Sequence, residues 1–276
     1  MENIHMIREK IADAGTQANL YELRATLENY LFKGDAADRG LGLSEIWEKS
    51  FNLFAPLQMT ISALNYAGDD QLNDEFIELF NKGPAILDIS GWTLEAGSPD
   101  QRLVFPAGSL IQPLSMIRIY TAQRGSYYFG SERPIWNNRG DEALLYDHNM
   151  ELVSSWCYGN KAHQYVDISY INVDGEQERT EGDEYIELTN FSKHRVDLSG
   201  WQINSSSGNS FTFDVGTYIE PNGKLRIYTN KQDLNANELS FNCKRAIWNN
   251  TGGGGNLLDH LQMIVSEYHY GFEPQR

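Results

Sequence analysis

"EYIELTNFSKHRVDLSGW", residues Glu184 to Trp201, has a close counterpart in "EFIELFNKGPAILDISGW", residues Glu75 to Trp92. The shared Ile-Glu-Leu, Asn, Asp and Ser-Gly-Trp positions recur at the same spacing. Trp201 follows Trp92 by 109 residues, and Glu184 follows Glu75 by the same 109. Further out, "IQPLSMIRIYT" from Ile111 returns as "IEPNGKLRIYT" from Ile219, an offset of 108. "IWNN" at Ile135 returns at Ile247, and "VSSWCYG" at Val153 returns as "VSEYHYG" at Val265, both offset by 112. Offsets that drift so little across a whole unit describe a duplicated segment with short loop changes.

A period near 110 residues is too long for a stacked solenoid repeat, so each copy is expected to be a globular domain. Each contains about seven to nine short alternating segments separated by turn residues, the spacing of an all-β sandwich. "MTISALNY" and "VDISYINV" lead into the quoted stretches as strands with a period of two. "AGS" (107–109) and "PNG" (221–223) mark tight turns in which Gly or Asn takes a positive φ. Residues 58–160 and 161–276 are therefore read as two tandem β-sandwiches.

Residues 1–57 read differently. Ile4, Ile7 and Ile11 recur at helical spacing, and Leu20, Leu23, Leu27, Tyr30 and Leu31 form a second stripe. Ile46, Trp47, Phe51 and Phe54 form a third, closed by Pro56. The expected fold is mainly β, two sandwiches preceded by a short α-helical segment.

The chain has 276 residues and a formal net charge of -16, with no basic segment in it. Binding nucleic acid through its phosphates would work against that field, and Lys193 to Arg195 is the nearest thing to a basic patch. Two cysteines, Cys157 and Cys243, do not make a disulfide framework, and no apolar run reaches membrane-spanning length. The start carries no signal-peptide core. Cytoplasmic residence with reduced thiols is the expectation, a Cys157–Cys243 disulfide the alternative.

Each unit resembles a lamin-tail domain, the immunoglobulin-like sandwich of nuclear lamins and of many bacterial proteins. The residues that carry the resemblance are Glu75 to Asn81, Asp88 to Trp92, the Pro113 turn before "IRIYT", and "WNNRGDEALLYDHNMELV" (136–153). Their counterparts are Glu184 to Asn190, Asp197 to Trp201, Pro221 before "LRIYT", and Trp248 to Val265. Together the copies cover about three-quarters of the chain. The resemblance implies an immunoglobulin-like fold and points to a bacterial source. The second unit departs from the pattern at "TGGGGNLLDH", where the first has "RGDEALLYDH". Glycine there predicts a looser, more mobile loop.

The residues that could carry chemistry read mostly as structure. Trp92, Trp136, Trp201 and Trp248 occupy matched positions and are expected to plug cores, each indole N–H satisfied nearby. Asn81 and Asn190 are expected to close turns, as are Asn137, Asn138, Asn249 and Asn250. Strand alternation puts Glu75, Ile77 and Leu79 on one face and Phe76, Glu78 and Phe80 on the other. Glu78 and Glu187 then sit beside a basic or hydroxyl partner. The acidic loops "AGDDQLNDE" (67–75) and "DGEQERTEGDE" (174–184) could gather carboxylates around calcium, but neither has EF-hand spacing, and solvated loops are the expectation. Asp147-His148 and Asp259-His260 lie at turns. No nucleophile elbow, phosphate loop, dinucleotide fingerprint or CxxC is present. Bacterial proteins that resemble lamin tails often join them to a hydrolase or nuclease, and 57 residues are too few to hold one.

The sequence therefore points away from catalysis and from any cofactor, towards a protein-interaction scaffold or adaptor subunit. Its partner is expected to be another protein or a second copy. Candidate contact residues are the helical Leu20, Leu27, Tyr30, Trp47 and Phe51 and the aromatic loop of Tyr127, Tyr128 and Phe129; packing against the first sandwich is the alternative for each. A calcium- or ligand-binding surface module is the rival reading, with a nucleic-acid binder and a small hydrolase behind it.

Overall fold

The computed structural model describes residues 58–83, 86–177 and 181–271. The helical expectation for residues 1–57, with Leu20, Leu27, Tyr30, Trp47 and Phe51, lies outside the described residues.

The first unit packs two sheets face to face. One contains β1 (Met59–Asn65), β2 (Phe76–Asn81), β7 (Met116–Tyr120) and β8 (Tyr127–Tyr128), in that order. The other runs β5 (Ser98–Val104), β4 (Thr93–Ala96), β9 (Glu142–Tyr146), β10 (Leu152–Cys157). A two-stranded ribbon, β3 (Leu87–Asp88) with β6 (Leu110–Ile111), closes one end. Between the sheets lie Ile61, Ile77, Leu79, Leu94, Ile119 and Leu145, each without measurable exposure. They come from alternate positions of their strands, as a half-buried sheet requires.

The second unit repeats the plan. One sheet is β11 (Val166–Asn172), β12 (Tyr185–Asn190), β17 (Lys224–Tyr228), β18 (Glu238–Ser240). The other is β15 (Ser210–Thr212), β14 (Gln202–Ser205), β19 (Gly253–Leu258), β20 (Ile264–Tyr270), and the ribbon is β13 (Arg195–Asp197) with β16 (Tyr218–Ile219). The repetition extends to defects. β1 shifts register between Ile61 and Ala63, and β11 between Ile168 and Tyr170. The amide freed at each bulge donates to a serine of the facing sheet: Ile61 to Ser154 Oγ and Ile168 to Ser266 Oγ, both at 3.0 Å.

Two expectations need correction. The glycine run of "TGGGGNLLDH" is not a mobile loop: Gly253 to Leu258 form β19, paired on both sides by β14 and β20. A Cβ on Gly254 would stand 2.4 Å from the Tyr268 carbonyl, and one on Gly255 would press on Trp248 and Ile186 at 3.3 Å. Glycine serves close approach there, not freedom. All four matched tryptophans are core plugs, at most 3% exposed. But among the described residues no acceptor reaches the indole N–H of Trp136 or Trp248. Both rings instead make edge contacts to a phenylalanine, Phe129 at 6.1 Å and Phe241 at 6.3 Å.

Candidate interaction surfaces

The two units are joined by more than a linker. β10, the last strand of the first sandwich, pairs in parallel with β13 of the second, Trp156 opposite Arg195 and Cys157 opposite Val196. The ribbon β13–β16 thereby extends the first unit's sheet to six strands across the domain boundary. Side chains lock the pairing. Trp156 Nε1 donates to Asp197 Oδ2 at 3.3 Å, while Asp197 Oδ1 accepts from the Ser199 amide at 2.7 Å. Arg195 Nη1 donates to the Ile61 carbonyl at 2.8 Å, and its other nitrogens grip Glu220 at 3.1 and 2.6 Å. Its guanidinium lies over Tyr218 at 4.2 Å and Trp156 at 5.8 Å. His194 Nδ1 lies 3.0 Å from Ser155 Oγ, and His260 Nε2 lies 3.0 Å from the Asn138 carbonyl. Alternation along β10 sends Trp156 into the first core and Cys157 into the second. Burial raises the Asp197 carboxyl's pKa against the hydrogen bonds from Ser199 and Trp156, and burial lowers the His194 imidazole's. The basic patch at Lys193 to Arg195 is thus spent largely within the chain.

The carboxylates inside the sheets are held by partners suited to structure. Glu78 accepts from Arg118 Nε at 3.0 Å and Ser62 Oγ at 2.9 Å. Glu187 accepts from Arg226 Nε at 2.8 Å, Lys224 Nζ at 2.7 Å and Ser169 Oγ at 3.0 Å. Burial works against its charged form, but those three bonds outweigh it and hold the carboxyl below the usual range. Glu75 and Glu184 point into the cores. Each clasps the chain before a tryptophan: Glu75 Oε2 accepts the Ile135 amide at 3.0 Å, and Glu184 Oε2 accepts the Ile247 amide at 3.1 Å. Burial and the neighbouring Glu181 carboxyl push Glu184 up to about 7.

The loops close on themselves. Asp183 accepts the amides of Glu176 and Gln177, at 2.8 and 3.1 Å. Asp259 Oδ1 accepts the Leu261 and Met263 amides, and Asp147 Oδ1 those of Asn149 and Glu151. Asn81 and Asn190 each accept an amide two residues on and also donate across the sandwich, to the Gln112 and Glu220 carbonyls at 3.0 Å. Among the described residues, no three His, Cys, Asp or Glu side chains converge to hold a metal ion. Both cysteines are free thiols, and burial raises the pKa of Cys157.

Of the aromatic loop, Tyr127 packs edge-on to Phe105 at 5.3 Å and Phe129 against Trp136, both joining the first core. Tyr128 is half-exposed, its hydroxyl 3.3 Å from Gln123 Nε2. The joint residues Arg195, Asp197, Tyr218 and Trp156 escaped sequence reasoning. Their signal is a difference inside the repeat: the first copy has Ile86 and Leu110 where the second has Arg195 and Tyr218, and the second has Tyr268 and His269 where the first has Trp156 and Cys157.

The family model described as Lamin Tail Domain matches residues 55–160 and again residues 159–272. No curated protein matches the chain. Among solved structures, an exo-β-D-glucosaminidase shares 11% identity over 75% of this chain and 26% of its own, with a TM-score of 0.28. An Amycolatopsis orientalis exo-chitosanase gives the same figures, and a red sea bream transglutaminase shares 9% over 84% of this chain and 33% of its own, with a TM-score of 0.23. The chain spans about a quarter to a third of the length of these structures.

Proposed function

Because the chain belongs to the lamin tail domain family, matched twice, we propose that it is a non-catalytic scaffold or adaptor subunit. Residues 1–57 dock a partner protein or a second copy, and the two sandwiches act as one rigid body. The observation that carries this reading is where the repeated polar residues are used. Glu75, Glu78, Asn81 and Asp147, with Glu184, Glu187, Asn190 and Asp259, hold backbone amides, carbonyls or cross-strand cations of their own domain. Conserved chemistry within the repeat is spent on the fold, which leaves surfaces to carry function. The calcium reading gains nothing from Asp74 and Asp183, which already accept backbone amides of their own loops. A reducing, cytoplasmic setting suits the two free thiols.

The test compares the tagged full chain with its Leu20→Glu/Leu27→Glu and Trp47→Glu/Phe51→Glu variants in affinity capture, with melting curves to certify folding. A partner retained by the full chain and lost by folded variants supports docking through this segment. Equal capture by all three sinks it.

A further inference from the structure

Each chain makes one joint of β10 with β13 and carries a second, unused copy of both halves of it. By the 112-residue offset, β20 is the counterpart of β10. It pairs with β19 alone, so its outer edge has no strand partner among the described residues. By the 109-residue offset, β3 is the counterpart of β13, and among the described residues it pairs with β6 alone. The burial difference marks the same surfaces. Trp156 and Cys157 are 2% and 0% exposed within the joint, whereas their counterparts Tyr268 and His269 are half-exposed and exposed. Across from them, Ile86 and Leu110, counterparts of Arg195 and Tyr218, stand 50% and 51% exposed. Asp88 bonds the Ser90 amide and hydroxyl as Asp197 bonds those of Ser199, but it is exposed and has no indole on its second oxygen.

We propose that the chain self-associates head to tail, β20 of one copy pairing in parallel with β3 of the next and repeating the joint that the two domains make within each chain. This deepens the scaffold reading and rests on it. The apolar pair Ile86 and Leu110 would cover Tyr268 of the neighbouring copy, in the place where Arg195 and Tyr218 cover Trp156. His269 has room because Gly254 stands beside it: a Cβ there would lie 2.7 Å from the imidazole Nδ1. The edge itself is undefended. β5, an outer strand of the first unit, carries Asp100 and Arg102, charges of the kind that keep edges from pairing, whereas seven-residue β20 contains no proline, lysine or arginine and a single acid, Glu267. The contact joins two different surfaces, so it propagates into rings or open filaments rather than stopping at a symmetric dimer. Within the chain the joint benefits from tethering; between chains it does not, so association depends on concentration.

The experiment is sedimentation velocity on the full chain from about 1 to about 500 µM, with two variants. Ile86→Asp/Leu110→Asp places carboxylates on the exposed side of the β3–β6 ribbon, one just before β3 and one in β6. His269→Glu places one where the joint buries the counterpart Cys157 completely. All the substituted positions are exposed in the single chain, and melting curves check that both variants fold. The expected result is a weight-average mass that climbs from 31.4 kDa past twice that value, with each variant alone staying monomeric. An equimolar mixture of the two should stop at a dimer, because each retains one working end. A full chain monomeric throughout overturns the proposal. So does growth that persists in both variants, which would assign self-association to another surface and leave the scaffold reading standing.

Discussion

Trp156 and Asp197 sit 41 residues apart in sequence and 3.3 Å apart in space, indole Nε1 to carboxylate Oδ2, across the boundary between the two sandwiches. Both are buried. An unpaired buried N–H or carboxylate is costly, so the bond favours a single arrangement of the domains over a family of them.

Asp197→Ala should therefore destabilise the chain by about 2 kcal/mol, since it strands the indole and releases the Ser199 turn. The matched Asp88→Ala removes only the local bonds to Ser90, and should cost about 1 kcal/mol or less. Urea unfolding of the two variants measures the difference; equal losses would remove the joint from the explanation.

Arg195 holds the Ile61 carbonyl, Glu220 and the Tyr218 ring at once. Arg195→Ala should loosen the domain pair, read as a larger radius of gyration by small-angle scattering and a loss of about 2 kcal/mol. Arg195→Lys should rescue little, because an ammonium cannot reproduce the planar fork. A scattering curve unchanged in both variants would show that strand pairing alone sets the geometry.

The two buried glutamates of the second unit predict opposite responses to pH. Glu184 titrates near 4.5 when unfolded and about 7 when folded, so the folded state holds the proton more tightly. Its contribution to stability is complete below about 4.5 and is lost as pH rises through about 7. Glu184→Gln should flatten that fall in melting temperature. Glu187 is lowered instead, so its contribution is present above its unfolded pKa and lost as pH falls through the folded one. Glu187→Gln should cost stability at neutral pH and little in acid. Melting temperatures from about pH 2 to about pH 8 test both; an unaltered slope in Glu184→Gln would contradict the assignment.

Gly254→Ala should be destabilising by about 2 kcal/mol, because its Cβ meets backbone at 2.4 Å in the middle of a sheet. A loop glycine would tolerate the change. Calorimetry on this one variant separates packing from flexibility as the reason for the glycine run.

The repeat and its alternating pattern were legible in the residues themselves. Ile77, Leu79, Ile186 and Leu188 face inward because their strands alternate, and period two survives in any sequence that must bury one face of a sheet. Glu78 and Glu187 could be placed beside cations for the same reason. The glycines of β19 could not be read correctly, because glycine composition is the same for a loop and for a strand crossed closely by Tyr268. Nor could the joint. Arg195 and Trp156 are distant in the chain, and their meeting depends on how one folded domain docks against the other. The sequence by itself determined two copies of one sandwich; tertiary structure decided which edges are filled and which are open. Strand edges present the same N–H and C=O groups whatever their side chains, so pairing at an edge is settled by docking geometry rather than by pattern.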